Sequence, residues 1–240
     1  MEYINAAEMK SGDLNPLIKK ALQYSNEVKV QNPHSMHNIA IGLRTKGRVV
    51  VDGSTGFYTG GFLEGASVIV EGNTGWYAGD NMMDGELIIT KNTGCNAGAY
   101  FNGGTMIIYG GTGARVGYGM KGGTIIVCGP SGRWAGQMTL GGRLVLLGEI
   151  GDQIGESMYR GAIFVKDAGA ASKLGGNVFI DTPAKDEITE LNEKFAQYRI
   201  DADAAKMQVI RPLTSGRHTY VLFKPHLEPE LSNRKGKIYE

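Results

Sequence analysis

Residues 68–89 read VIV-EGNTGWYAGDNMMDGE-LII, residues 87–108 read LII-TKNTGCNAGAYFNGGT-MII, and residues 106–127 read MII-YGGTGARVGYGMKGGT-IIV. An aliphatic triplet returns every nineteen residues, and the glycines between the triplets return in step with it. Repeats of this kind build architectures in which each unit buries its apolar face only against its neighbours. The triplets are short, β-branched and bounded by glycine, which is the pattern of strands and not of helices.

Working outward, the same spacing places triplets at 49–51, 68–70, 87–89, 106–108, 125–127, 144–146 and 163–165. One glycine column comprises Gly56, Gly75, Gly94, Gly113, Gly132 and Gly151, and a second lies four residues on at Gly60, Gly79, Gly98, Gly117, Gly136 and Gly155. A third precedes the first by three residues: Gly53, Gly72, Gly110, Gly129 and Gly148, interrupted by Lys91. Corners of a coil demand positive φ or close backbone approach, and a Cβ obstructs both. The expected fold is all-β, a right-handed parallel β-helix of about seven 19-residue coils, each holding two or three short strands, with α/β caps at both ends.

Alternate strand residues face opposite ways. The outer members of each triplet, such as Val68/Val70 and Leu144/Leu146, are expected inside the coil. The middle column then faces out, although it reads Val50, Ile69, Ile88, Ile107, Ile126, Val145 and Phe164. An exposed aliphatic stripe of this size requires a cover. Two are available: another protein chain, or the chain's own segment TPAKDEITELNEKFAQYRI. The segment reads as a helix with Thr182 as N-cap, Pro183 first in the helix, and Ile188, Leu191, Phe195 and Tyr198 on one face.

A solenoid needs its ends blocked. Residues 1–48 form the expected N-terminal cap, with a short helix at NPLIKKALQY; residues 49–180 form the β-helix. Residues 181–240 form the C-terminal cap, in which Gly216-Arg217-His218 leads into a strand at TYVLFKP and a charged, mobile tail.

Composition narrows the function. Glycine makes up 37 of 240 residues, about 15% against an ordinary ~7%, without collagen's period, and a 42% hydrophobic fraction excludes disorder. Twenty-five Lys and Arg against 24 Asp and Glu give no global field for nucleic acid. The opening MEYINAAEMKSGD lacks an apolar run, and no uninterrupted aliphatic stretch exceeds the four residues Leu144–Leu147, so a cytoplasmic location is expected.

Chemistry is sparse. Cys95 and Cys128 cannot alone supply a cluster or a zinc site, and the four histidines (His34, His37, His218, His226) lie in the caps without metal-ligand spacing. Stacked hydroxyls at Thr55, Thr74, Thr93, Thr112 and Ser131 lie in coils without a histidine to activate them and read as structural. Each glycine cluster leads to a strand and not to a helix N-terminus, which argues against a phosphate cradle. Nineteen is not a multiple of six, so hexapeptide acyltransferases do not fit. The scattered acidic residues, Asp80, Asp84, Glu86, Glu149, Asp152 and Glu156, make a poor polysaccharide-cleaving cleft. No catalytic residue, cofactor ligand or metal ligand is therefore assigned. Two columns between the glycines remain: Phe57, Trp76, Cys95, Ala114, Arg133, Asp152 and Tyr58, Tyr77, Asn96, Arg115, Trp134, Gln153. One is expected to pack inward and the other outward. Tyr58, Tyr77, Arg115 and Trp134, with Ile69, Ile88, Ile107 and Ile126, are the candidate interface residues.

The repeated G-x-x-G-x-x-x-G, the Gly-Gly-x-aliphatic strands and the leading segment NPHSMHNIAIGL resemble the C-terminal β-helix (GXGXG) domain of the glutamate synthase large subunit, over about Val28 to Ile180. Stand-alone chains of that family include a subunit of N-methylglutamate synthase-type complexes, and a related solenoid is a subunit of formylmethanofuran dehydrogenase. The resemblance implies a non-catalytic scaffold that holds a glutamine amidotransferase chain and an FMN/iron–sulfur synthase chain together for glutamate or N-methylglutamate formation. FMN and the iron–sulfur cluster would sit on the partner. The alternatives are a subunit of a formylmethanofuran dehydrogenase-type complex and an independent solenoid enzyme or ligand binder.

Overall fold

A computed structural model describes residues 1–213; His218, His226, the TYVLFKP strand and the charged tail lie outside the described residues. The triplets become β3 (Arg48–Asp52), β4 (Ser67–Val70), β5 (Glu86–Ile89), β6 (Thr105–Ile108), β7 (Thr124–Val127), β8 (Leu140–Leu146) and β9 (Arg160–Val165). Each pairs in parallel with the next, and from β3 to β7 the register is the nineteen-residue repeat itself: Val49 faces Val68, which faces Leu87, which faces Met106. The architecture is a parallel β-solenoid of about seven turns.

Each coil is simpler than two or three strands. It has one strand, of four residues in β4 to β7, with a single bridging residue on the coils from Thr74 to Ile150 (Thr74 to Thr93 to Thr112 to Ser131 to Ile150), and a turn-rich knuckle. The hydroxyl column behaves structurally: Thr74 Oγ1 donates to Thr93 Oγ1 at 2.6 Å, and Thr112 Oγ1 donates to Gly94 O at 3.2 Å. Two kinds of glycine make the corners. The second column is left-handed, with φ between +64° and +69°. The third is crowded: a Cβ on Gly129 would lie 2.6 Å from the Gly110 carbonyl carbon of the preceding coil.

Triplet outer members such as Val68, Val70, Leu87 and Leu146 are fully buried in the lumen, as parity requires. The ladder begins earlier than residue 49, however. β1 (Glu2–Asn5) and β2 (Glu27–Gln31) already pair in parallel below β3. Helix α1 (Ser11–Ala21) starts four residues before the expected NPLIKKALQY, burying Leu14 and Ile18. The other end closes differently. β11 (Gln208–Pro212) inserts antiparallel between β9 and β10 (Val178–Asp181), so the parallel ladder of strands stops at β9, with one more parallel bridge beyond it in the chain, between Ile154 and Leu174.

Helix α2 (Lys185–Gln197) covers the C-terminal part of the aliphatic stripe, from Ile107 to Phe164. Its Leu191 and Phe195, with Tyr198, pack with Ile107, Ile126, Val145 and Phe164 in a second core outside the sheet. Burial of this kind contributes roughly 1.5–3 kcal/mol per large side chain. Tyr198 also donates to Glu86 Oε1 at 2.5 Å, Tyr109 donates to the Tyr198 carbonyl at 2.6 Å, and Arg143 pairs with Glu190. The helix starts two residues later than expected, with Ala184 and not Thr182 at the N-cap. The Glu187 carboxylate fixes that start, accepting from the Ala184 N–H at 2.8 Å and from Arg211 of β11 at 2.8 Å. No helix of the described residues is long and apolar enough to cross a membrane.

Candidate functional site

The knuckles stack into a ridge along the solenoid. Their backbone is unusual: Tyr58, Tyr77, Asn96, Arg115, Trp134 and Gln153 all have φ between +58° and +60°. Two residues on comes the left-handed glycine, and two further on another positive-φ column that includes Phe62, Asn81, Tyr100 and Met138. The alternation directs successive N–H groups to opposite neighbours. Tyr77 donates forward to Cys95 O at 3.0 Å, Gly79 backward to Thr59 O at 2.9 Å, and Asn81 forward to Ala99 O at 2.8 Å. A non-glycine residue in this conformation costs about 1–2 kcal/mol; pairing each otherwise buried N–H offsets the strain.

This geometry corrects the expectation that one of the two columns packs inward. Phe57 (42%), Tyr58 (37%) and Trp76 (51%) are all exposed. The inward residue is the next one along, giving Thr59, Ala78, Ala97, Val116, Ala135 and Ile154, all buried. The left-handed turn lets two consecutive side chains leave the coil together. It also exposes Phe62, Tyr100 and Met138, a column the sequence reading did not single out. Asn81 and Gly119 in that column, residue types that accept positive φ, were the available signal.

The outward groups contact one another in separate runs along the ridge. His37, Phe57 and Trp76 stack in series with centroids 4.6 and 5.7 Å apart, and His37 Nδ1 accepts from the Phe57 N–H at 2.8 Å. Tyr58 and Tyr77 stack at 5.0 Å. Tyr100 and Tyr118 meet edge-on at 5.3 Å, and the Tyr118 hydroxyl reaches Met138 Sδ at 3.5 Å. Further along, the guanidinium carbons of Arg115 and Arg133 each lie 4.4 Å from the Trp134 ring centroid. Of the candidate interface residues, Tyr58, Tyr77, Arg115 and Trp134 therefore share one ridge. The four isoleucines lie elsewhere, on the sheet. Ile107 and Ile126 are buried under the chain's own α2 and are not available to a partner, whereas Ile69 and Ile88 stay half-buried.

Two ionisable groups on the ridge are perturbed: the contact with Tyr118, and then burial, raise the Tyr100 phenol, and Asp80 is the more buried of the two. Asp80 is only 8% exposed, and burial pushes its carboxyl above the usual range, opposed by a 3.1 Å hydrogen bond from Asn81 Nδ2. Its column neighbours are Gly61 and Ala99, too small to reach it. Cys128 lies by the α2 core, and burial pushes its thiol up to about 11. Cys95 sits on the ridge side, half-buried. Among the described residues no group of three or more His, Cys, Asp or Glu side chains is placed to hold a metal ion.

No protein-family model and no curated protein sequence matches this chain. Among solved structures, it is similar to a chain in the X-ray crystal structure of the formyltransferase/hydrolase complex (FhcABCD) from Methylorubrum extorquens in complex with methylofuran. Identity is 21%, the TM-score is 0.66, and the likeness covers 85% of this chain and 86% of that one. At this identity the likeness is one of fold.

Proposed function

We propose that this chain is a non-catalytic solenoid subunit of a multi-subunit complex of the formyltransferase/hydrolase kind, and that the aromatic and guanidinium ridge is its partner-facing side. The observation that carries the reading is the fold likeness over 85% of the chain to a chain in such a complex. The side-chain inventory supports a holding role. Thr74, Thr93 and Thr112 are committed to ladder hydrogen bonds, and His37 Nδ1 is occupied by a backbone N–H. The exposed groups are Tyr, Trp, Phe and Arg, the residue types that anchor interfaces.

This adopts the formylmethanofuran-type alternative. Nothing in the comparisons supports the glutamate synthase reading, and the expected amidotransferase and FMN/iron–sulfur partners lose their basis with it. The proposal assigns no cofactor to this chain. Affinity purification of the tagged chain from its native host, with mass-spectrometric identification of what co-elutes, is the test. Stoichiometric formyltransferase/hydrolase-type polypeptides are expected, with no formyl-transfer turnover by the chain alone. Elution as a lone monomer, or with an amidotransferase and a flavoprotein, would overturn the reading.

A further inference from the structure

The geometry points to Arg115 and Arg133, fixed on Trp134, as a seat for an acidic segment of a partner protein chain, a reading that deepens the subunit proposal and rests on it. The two guanidinium carbons are each 4.4 Å from one ring centroid, hence less than 9 Å from one another. Each is oriented by a neutral acceptor: Arg115 Nε donates to Gln137 Oε1 at 3.1 Å, and Arg133 Nη2 to Gln153 Oε1 at 3.0 Å. Glutamine holds a guanidinium in place without neutralising it. Neither arginine pairs with a carboxylate among the described residues, a state they share with Arg160 and Arg199, whereas Arg44, Arg48, Arg143 and Arg211 do; what sets Arg115 and Arg133 apart is that both stack on one indole. Arg115 keeps both terminal amino groups, and Arg133 its Nε and Nη1, without a hydrogen-bond partner there.

Two planar forks, stacked on an indole and left with unspent donors, suit bidentate carboxylates. Cation–π stacking removes rotamer freedom in advance, which lowers the entropy lost on docking. Alternate residues of an extended strand present side chains ~7 Å apart, so acidic residues at i and i+2 of one partner strand match the pair.

The test is a fluorescence titration of the full chain carrying Trp76→Phe, which leaves Trp134 as the reporting indole. The probe is an acetylated pentapeptide of alternating glutamate and serine; its lysine–serine counterpart and inorganic phosphate serve as comparison ligands. A saturable change in Trp134 emission with the acidic peptide is expected, weakening as salt rises from about 50 to about 200 mM. Arg115→Gln with Arg133→Gln is expected to weaken binding at least about tenfold, while Arg44→Gln leaves it unchanged. Gln137→Glu with Gln153→Glu keeps both arginines and neutralises them internally, and is expected to abolish binding. That variant covers the case in which loss of the arginines impairs folding. Undiminished binding in either double variant, or equal affinity for the lysine peptide or phosphate, would overturn the assignment. A failed titration beside intact partner co-purification removes this site alone; absent partners remove the subunit reading.

Discussion

Two glycines of one coil are expected to differ sharply in what an added methyl costs, because they are glycine for different reasons. Gly117 has φ +69°, and its Cβ would meet Leu144 Cδ2 at 3.5 Å, an ordinary contact. Gly117→Ala therefore incurs only left-handed strain, about 1–2 kcal/mol. Gly129 has no positive φ, yet its Cβ would lie 2.6 Å from the Gly110 carbonyl carbon and 2.7 Å from the Gly111 nitrogen. Those atoms belong to the backbone of the coil beneath and cannot rotate away. Relief requires separating coils joined by the Gly129 N–H to Gly110 O bond of 2.9 Å. The overpacking cost of about 1–3 kcal/mol is then joined by about 1–3 kcal/mol for a ladder N–H pulled off its carbonyl, for a total of about 2–6 kcal/mol. At roughly 2–4 °C per kcal/mol for a chain of this size, thermal melting followed by circular dichroism should show Gly117→Ala lowered by about 2–8 °C. Gly129→Ala should fall further, by about 4–24 °C, or fail to accumulate folded protein. Equal shifts, or a larger shift for Gly117→Ala, would refute the division into conformational and close-approach corners.

Asp80→Asn is expected to raise the melting temperature at pH 7. Burial raises the folded-state pKa of Asp80, so ionisation penalises the fold above the ordinary carboxylate pKa and the gain vanishes below about pH 4; a gain that grows on acidification would contradict this. Phe195→Ala should remove about 3–5 kcal/mol of α2 packing and leave the coils standing, so limited proteolysis should nick residues 182–207 while the β signal persists. Cooperative loss of both would show that α2 is integral to the solenoid. Cys128, with its thiol near 11, should be about 0.1% thiolate at pH 8 and resist alkylation until the chain is unfolded; rapid modification in the native state would place it outside the α2 core.

The glycine columns made the solenoid legible because a nineteen-residue backbone constraint prints itself on every coil. Parity within the triplets was legible for the same reason, and it located the stripe that α2 covers in part. What parity could not predict was the knuckle. There Tyr58 and Phe57 both point outward, because a left-handed residue breaks the two-residue alternation and nothing in a tyrosine announces positive φ. Arg115 and Trp134 share one column at the nineteen-residue interval and were legible together; Arg133 was missed as their partner because it belongs to the adjacent column and meets the indole from the next position in the chain. The antiparallel β11 was missed because its neighbours are set by where the chain returns in space, and the start of α2 because the Glu187–Arg211 contact is tertiary.

Oxidative side-chain footprinting of the chain alone and in its native assembly measures the partner-facing side most directly. The account predicts that Tyr58, Tyr77, Trp76 and Trp134 become protected in the assembly, while Tyr24 of the N-terminal cap, 84% exposed, is modified as before. Unchanged labelling along the ridge, with protection confined to the caps or the sheet face, would contradict it.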